Sequence, residues 1–215
     1  MAGRDYHLRL LGQEAGLAVW RVDGRRIRDR LDVEFTNGHH HLTRSYVPEN
    51  EIWLDRSAPR ADESRFWSVH QIVERAALVA GASYIEALAR GNRAEKAARR
   101  KALGDAPRRR SLVRRRTLGK ATGRNVILVD GRAVRSAFDI NFTLGGHGYR
   151  YRFIPLSEIW IDDAVVPAER PAILAHESVE VELMAAGMAY DPAHAHASRA
   201  EVGFRRGRRV RYSAP

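Results

Sequence analysis

Apolar and polar positions follow one order of patterns along this chain, and they follow it twice. In the second half, "NVILVD" (125–130) is a short apolar strand pattern running into an Asp-Gly step, which predicts a turn. "AFDINFT" alternates Phe138, Ile140 and Phe142 on one face. "GGHG" predicts a turn, and "YRYRFI" then alternates Tyr149, Tyr151 and Phe153. "EIWID" sets Ile159 and Ile161 on one side of a further strand and Glu158, Trp160 and Asp162 on the other. From about 167 to 186 the period changes: Ile173, Leu174, Val181, Met184 and Ala185 fit a helix, with Gly187 as its stop. "YDPAHAHASRAEVGF" predicts a second helix with Asp191 as N-cap and Pro192 at the first helical position.

The first half carries the same text. At an offset of 107 residues, 19 of the 49 positions from Leu11 to Pro59 are identical to their counterparts. At an offset of 106, residues 70–95 match 176–201 at 11 of 26 positions. Chance gives about 7% on ordinary residue frequencies, so the chain is an internal tandem duplication. One unit spans about 5–100 and the other 112–206, with a basic linker at 101–111 and a basic tail at 207–215. The expected fold is α+β: each unit a small antiparallel sheet followed by a helical hairpin, the two in a pseudo-twofold arrangement. That predicts a monomeric pseudo-dimer or a higher assembly.

Charge adds a second theme. The net charge is +11, and residues 96–124 hold twelve Lys and Arg against Asp105 alone, a surplus equal to that of the whole chain. Arg108, Arg109, Arg110, Arg114, Arg115 and Arg116 have the character of an arm that neutralises phosphates. Nucleic acid or another polyanion is the expected partner; a solvated belt paired with acidic patches is the alternative. No aromatic platform accompanies the arm, which argues against base-specific reading. No apolar run reaches the roughly 18 residues of a membrane span, and "MAGRDYHLRLLGQEAG" lacks the apolar stretch of a secretory signal. The expected location is the cytoplasm, or a phage virion or its host's cytoplasm. The absence of cysteine excludes disulfides and thiolate ligands, so any metal must be held by His, Asp or Glu.

The candidate chemistry sits in "AILAHESVEVELM" (172–184). His176 and Glu180 are four apart and share a helix face, with Glu177 about 100° round from His176. Matching the rungs of the two antiparallel helices puts Glu201 level with His176 and His194 a turn below Glu180. The expected cluster is therefore His176, Glu180 and Glu201, with His194 in reach only if the helices cross at an angle. Of the histidines in "NGHHH", only His40 is in register with a partner, His147, which either lines its turn or points at the helices. Glu158, Asp162 and Asp163 form an acidic patch expected to cap the sheet edge or pair with arginines. Tyr190 falls in the link between the helices, suited to packing or to stabilising an oxyanion beside a metal.

The HExxE spacing resembles the HExxH helix of the gluzincin group of zinc metallopeptidases, with a Glu on a following helix as third ligand. The resemblance covers residues 172–201 and departs from the pattern where Glu180 takes the second His position. It implies a metal on His176, Glu180 and either Glu201 or His194, with Glu177 as general base and Tyr190 beside it. One His with two carboxylates suits manganese or iron, and two His with one Glu suits zinc. More loosely, the "FIP..EIWID" strand followed by an HExxE helix looks like small uncharacterised bacterial and phage proteins. The first unit keeps His70, Glu74 and Glu95 but has Gln71 in place of Glu177 and Leu88 in place of His194. Gln cannot accept a proton at neutral pH, so the first unit is expected to be degenerate. Two functions follow as expectations: a metal-dependent, peptidase-like hydrolase active in the second unit only, or a non-enzymatic structural or nucleic-acid-associated protein that keeps the fold as a scaffold.

Overall fold

The computed structural model describes residues 5–56 and 61–207, so most of the basic tail lies outside the described residues. It divides into two compact units, one of Met1–Arg28 with Phe35–Pro107 and one of Asp29–Glu34 with Arg108–Pro215. The first holds β1 (His7–Glu14), β2 (Leu17–Val22), most of α1 (Gly24–Arg30), β3 (Gly38–His40), β4 (Glu51–Asp55), α2 (Ala61–Val79) and α3 (Tyr84–Leu103). The second has α4 (Arg110–Val113), then β5 (Arg114–Ala121), β6 (Arg124–Val129), α5 (Gly131–Ala137), β7 (Gly145–His147), β8 (Glu158–Asp162), α6 (Arg170–Ala185) and α7 (Tyr190–Arg205). The fold class is the α+β duplication expected: two four-stranded sheets, each followed by a pair of helices.

The sheets differ from expectation in being mixed. Strand order is β1-β2-β4-β3 and β5-β6-β8-β7, and the central pairs β2/β4 and β6/β8 run parallel. The cause lies at the Asp-Gly step. Instead of closing a hairpin it opens the short helix α5, whose first turn is capped by the Asp130 side chain accepting from Ala133 N. The hairpins lie one strand earlier, at Ala15-Gly16 and Thr122-Gly123, where both residues have positive φ. The alternating stretches "AFDINFT" and "YRYRFI" are turns rather than strands. Their aromatic residues form a cluster instead, with Phe138 stacked on Phe153 and Phe142 edge-on to Tyr151. "GGHG" supplies β7, antiparallel to β8. The second helix of the hairpin starts at Tyr190 with Ala189 as N-cap, ahead of the expected Asp191. Pro192 is accommodated because first-turn N–H groups have no partner within the helix.

Alternate residues of the central strands serve two cores. In the second unit Val126, Leu128, Ile159 and Ile161 pack with Ile173 and Val181 of α6. On the opposite face Ile127, Val129 and Trp160 pack with Val134, Phe142, Tyr151 and Ile154. The first unit repeats this arrangement, with Trp67 in one core and Trp53 in the other.

One buried ion pair ties the short helix to the end of the last strand in each unit. Arg135 donates to Asp162 at 2.7 Å and to the Phe142 carbonyl at 3.2 Å. Arg28 does the same to Asp55 at 2.6 Å and the Phe35 carbonyl at 2.7 Å. Gly24 and Gly131 are glycines because of these carboxylates: a methyl group at either position would overlap Asp55 or Asp162. Arg135→Ala is expected to destabilise the protein by about 3–5 kcal/mol, since it strands a buried carboxylate. The paired change Arg135→Met with Asp162→Leu should cost less than the single substitution. Denaturant unfolding of the two variants against wild type checks both.

Candidate metal centre

Three elements of the second unit converge on one carboxylate. α6 supplies His176, Glu177 and Glu180, all buried; α7 supplies His194 and Glu201; β7 supplies His147, fully buried. His176 Nδ1 stands 3.0 Å from Glu201 Oε2. Its Nε2 stands 3.2 Å from His194 Nδ1 and 3.4 Å from Glu180 Oε2. His194 Nδ1 is itself 2.7 Å from Glu180 Oε2. The other oxygen, Glu180 Oε1, accepts from His147 Nε2 at 3.0 Å. The far nitrogen of His194 meets Glu34 Oε2 at 3.0 Å, in the Asp29–Glu34 segment that groups with this unit.

Two groups of side chains here could hold a metal ion: His176, Glu180 and His194, and His147, Glu177 and Glu180. The first has the separations of a ligand triangle. Bonds of about 2.0–2.1 Å in tetrahedral geometry place ligand atoms about 3.3 Å apart, and the three edges observed are 2.7, 3.2 and 3.4 Å. Each imidazole also has a carboxylate on its far nitrogen, Glu201 for His176 and Glu34 for His194. That is the orienting contact metal-bound histidines usually make.

His194, rather than Glu201, thus completes the trio around Glu180. The rung count placed Cα atoms only; an imidazole and a glutamate together span the one-turn offset. Glu201 lies behind His176 and is held by Arg205, which donates to it at 2.8 Å and to Glu169 at 2.8 Å. Glu177 groups with His147 and the far side of Glu180. Tyr190 stacks on His194 with ring centroids 5.3 Å apart, and the Arg150 guanidinium lies 4.3 Å over the Tyr190 ring. His147, expected either to line its turn or to point at the helices, does the latter. Arg150 and Glu34 are the members that sequence reasoning left out, and nothing in the spacing marks them.

The charges balance locally. Burial opposes a charge on His176, but Glu180 and Glu201 outweigh it and push its pKa up to about 10. Hydrogen bonds donated to Glu180 and Glu34 push His194 up to about 9. Burial works against ionised Glu180 too, yet His147, His176 and His194 hold it well below the usual carboxylate range. Glu177 goes the other way: burial pushes it up to about 8, and Glu180 and Glu201 add to the effect.

The first unit repeats the framework without the trio. His70 Nδ1 meets Glu95 at 3.1 Å, Arg99 donates to Glu95 and to Glu63, and His40 stands 3.4 Å from Glu74. Gln71 and Leu88 occupy the places of Glu177 and His194. Among the described residues, no group of three in this unit could hold an ion.

The basic arm is partly structure. All six arginines are exposed, and Arg114, Arg115 and Arg116 begin β5, the edge strand. Arg114 pairs with Glu158 at 2.5 Å, and Arg115 pairs with Asp130 and Asp163. Arg110 donates to the Phe153 carbonyl, and Arg108 lies over the Phe138 ring. No helix among the described residues is long and apolar enough to cross a membrane.

In chelator-treated protein the His176 ring should stay protonated at pH 8, with an NMR titration midpoint above 9. Glu201→Gln should move that midpoint down, because it removes one of the two carboxylates that favour the imidazolium. A midpoint near 6.5 in wild type would show that Glu180 and Glu201 do not stabilise the imidazolium.

No protein-family model, no curated protein and no solved structure matches this chain.

Proposed function

We propose that the second unit is a divalent-metal-dependent hydrolase, peptidase-like in its chemistry, and that the first unit is a degenerate copy serving as scaffold. The observation that carries this reading is the triangle of His176 Nε2, His194 Nδ1 and Glu180 Oε2. Two imidazoles and one carboxylate form a donor set that catalytic zinc accepts, with manganese and iron as competitors. An ion held there supplies Lewis-acid polarisation and lowers the pKa of water. The residues supply the rest. Glu34 hydrogen-bonds the far nitrogen of His194, and Glu201 lies 3.0 Å from that of His176, which orients the two rings. Tyr190 stands beside His194 with the Arg150 guanidinium over its ring, and its phenol is a donor suited to a substrate oxygen that gains negative charge. Burial pushes the Tyr190 phenol up, so it stays a donor at neutral pH.

His194→Leu copies what the first unit already accommodates at Leu88, so the fold should persist. It is expected to lose one bound ion per chain by elemental analysis and to abolish cleavage on a panel of unfolded proteins and peptides. Glu201→Gln should weaken metal binding by about 10–100-fold without abolishing it. Unchanged metal content in His194→Leu would sink the assignment.

A second reading rests on the exposed arginines of the arm: polyanion binding through phosphate contacts. Arg114 and Arg115 are already paired with acidic residues of their own unit, which leaves Arg108, Arg109, Arg110 and Arg116 as the effective charges. Replacing those four with Ser is expected to flatten the log–log salt dependence of duplex DNA binding by about 3.6 units. An unchanged slope would remove the arm from nucleic-acid binding.

A further inference from the structure

We propose that Glu180 bridges two cations, and that His147 Nε2, Glu180 Oε1 and Glu177 form a second divalent-cation position beside the first. This inference rests on the metal reading of the His176, His194 and Glu180 trio and extends it.

Glu180 is used on both sides. Oε2 faces His176 and His194 at 3.4 and 2.7 Å, while Oε1 faces His147 at 3.0 Å. Ligand atoms from His147, Glu177 and Glu180 all lie within 4.8 Å of one another, and all three residues are buried. A carboxylate that binds one ion through each oxygen holds them at the roughly 3.5–4 Å spacing of two-metal sites.

Glu177 is the independent observation. It is 7% exposed and its carboxylate belongs to this group. A buried carboxylate is costly unless it is protonated or ligated. The local backbone is shaped to admit it: β7 has Gly145 opposite, and a Cβ there would come within 3.0 Å of Glu177 Oε1. His147 reaches the group through Nε2, and its Nδ1 has no partner, so the ring proton can move to Nδ1 when Nε2 becomes a ligand.

The duplication supports the same division. The first unit keeps the glutamate between two histidines, with Glu74 at 3.4 Å from His40 and 3.9 Å from His70. It departs at two positions, and each removes one ligand from one of the two groups: Leu88 for His194 and Gln71 for Glu177. Where the framework carries no third ligand for either position, both replacements are present together. The second position, with one imidazole and two carboxylates, is the harder donor set and suits manganese or iron better than the first.

The test is metal stoichiometry on the full-length protein. Chelator-stripped wild type and Glu177→Gln are titrated with Zn²⁺ and with Mn²⁺, freed of excess ion, and analysed for metal per chain. Circular dichroism confirms folding; Gln71 shows that the framework accommodates Gln at this place. The expected result is two ions in wild type and one in Glu177→Gln. Manganese-loaded wild type should give a spin-coupled EPR spectrum that becomes that of an isolated ion in the variant. One ion in both proteins overturns the second position and leaves the first standing. No ion in wild type overturns both. Two ions in both proteins show that Glu177 is not a ligand and overturn the proposal.

Discussion

A carboxylate buried between a histidine and an arginine holds each helical hairpin together, and the rest of the unit is arranged to make that tolerable. Glu201 cannot sit at 3% exposure as a lone charge. Arg205 neutralises it, and Arg205 in turn requires Glu169 at the start of the preceding helix. His176 closes the chain on the other side. The His176–Glu201 and Arg205–Glu169 pairings each fix a side chain of α7 against α6 or its start, so the chain sets the register of α6 on α7 as well as its charge balance. The same sequence of obligations runs through Glu95, Arg99, Glu63 and His70 in the first unit. The imidazole orientation that a ligand needs is thus a by-product of what holds the hairpin together.

This separates framework from chemistry. Features present in both units, the His–Glu–Arg–Glu chain and the buried Arg–Asp tie, serve the fold. Features present in one unit, His194 and Glu177, have no structural counterpart to explain them, and both lie against Glu180. A polar network can stabilise a hairpin without them, as the first unit demonstrates. Glu177 adds a buried carboxyl beside Glu180, where its ionised form costs stability unless a cation compensates it.

Much of this was legible in the sequence. The duplication, the two-helix hairpin and the sidedness of "EIWID" follow from identity at a fixed offset and from period. The parallel central strands were not legible. An Asp-Gly pair reads equally as a hairpin turn and as a helix N-cap, and only the Asp162 carboxylate pressed against Gly131 shows which was meant. The aromatic alternation of 138–153 misled for a related reason: two-residue spacing served a ring cluster without a backbone ladder. At the site, helix spacing found His176 and Glu180, but a count of rungs could not tell which of Glu201 and His194 reaches past the other. His147 is distant in sequence and comes in only through β7.

The glycines and histidines that shape the site are shared by descent from one ancestral unit, whereas the two differences are small in genetic terms. Gln and Glu codons differ at a single base, and so do codons for Leu and His. The two hairpins of this chain therefore differ by two substitutions at these positions. Duplication supplied a spare copy in which those mutations could be lost or gained without risk to the fold, because neither residue takes part in the chain of ion pairs beneath.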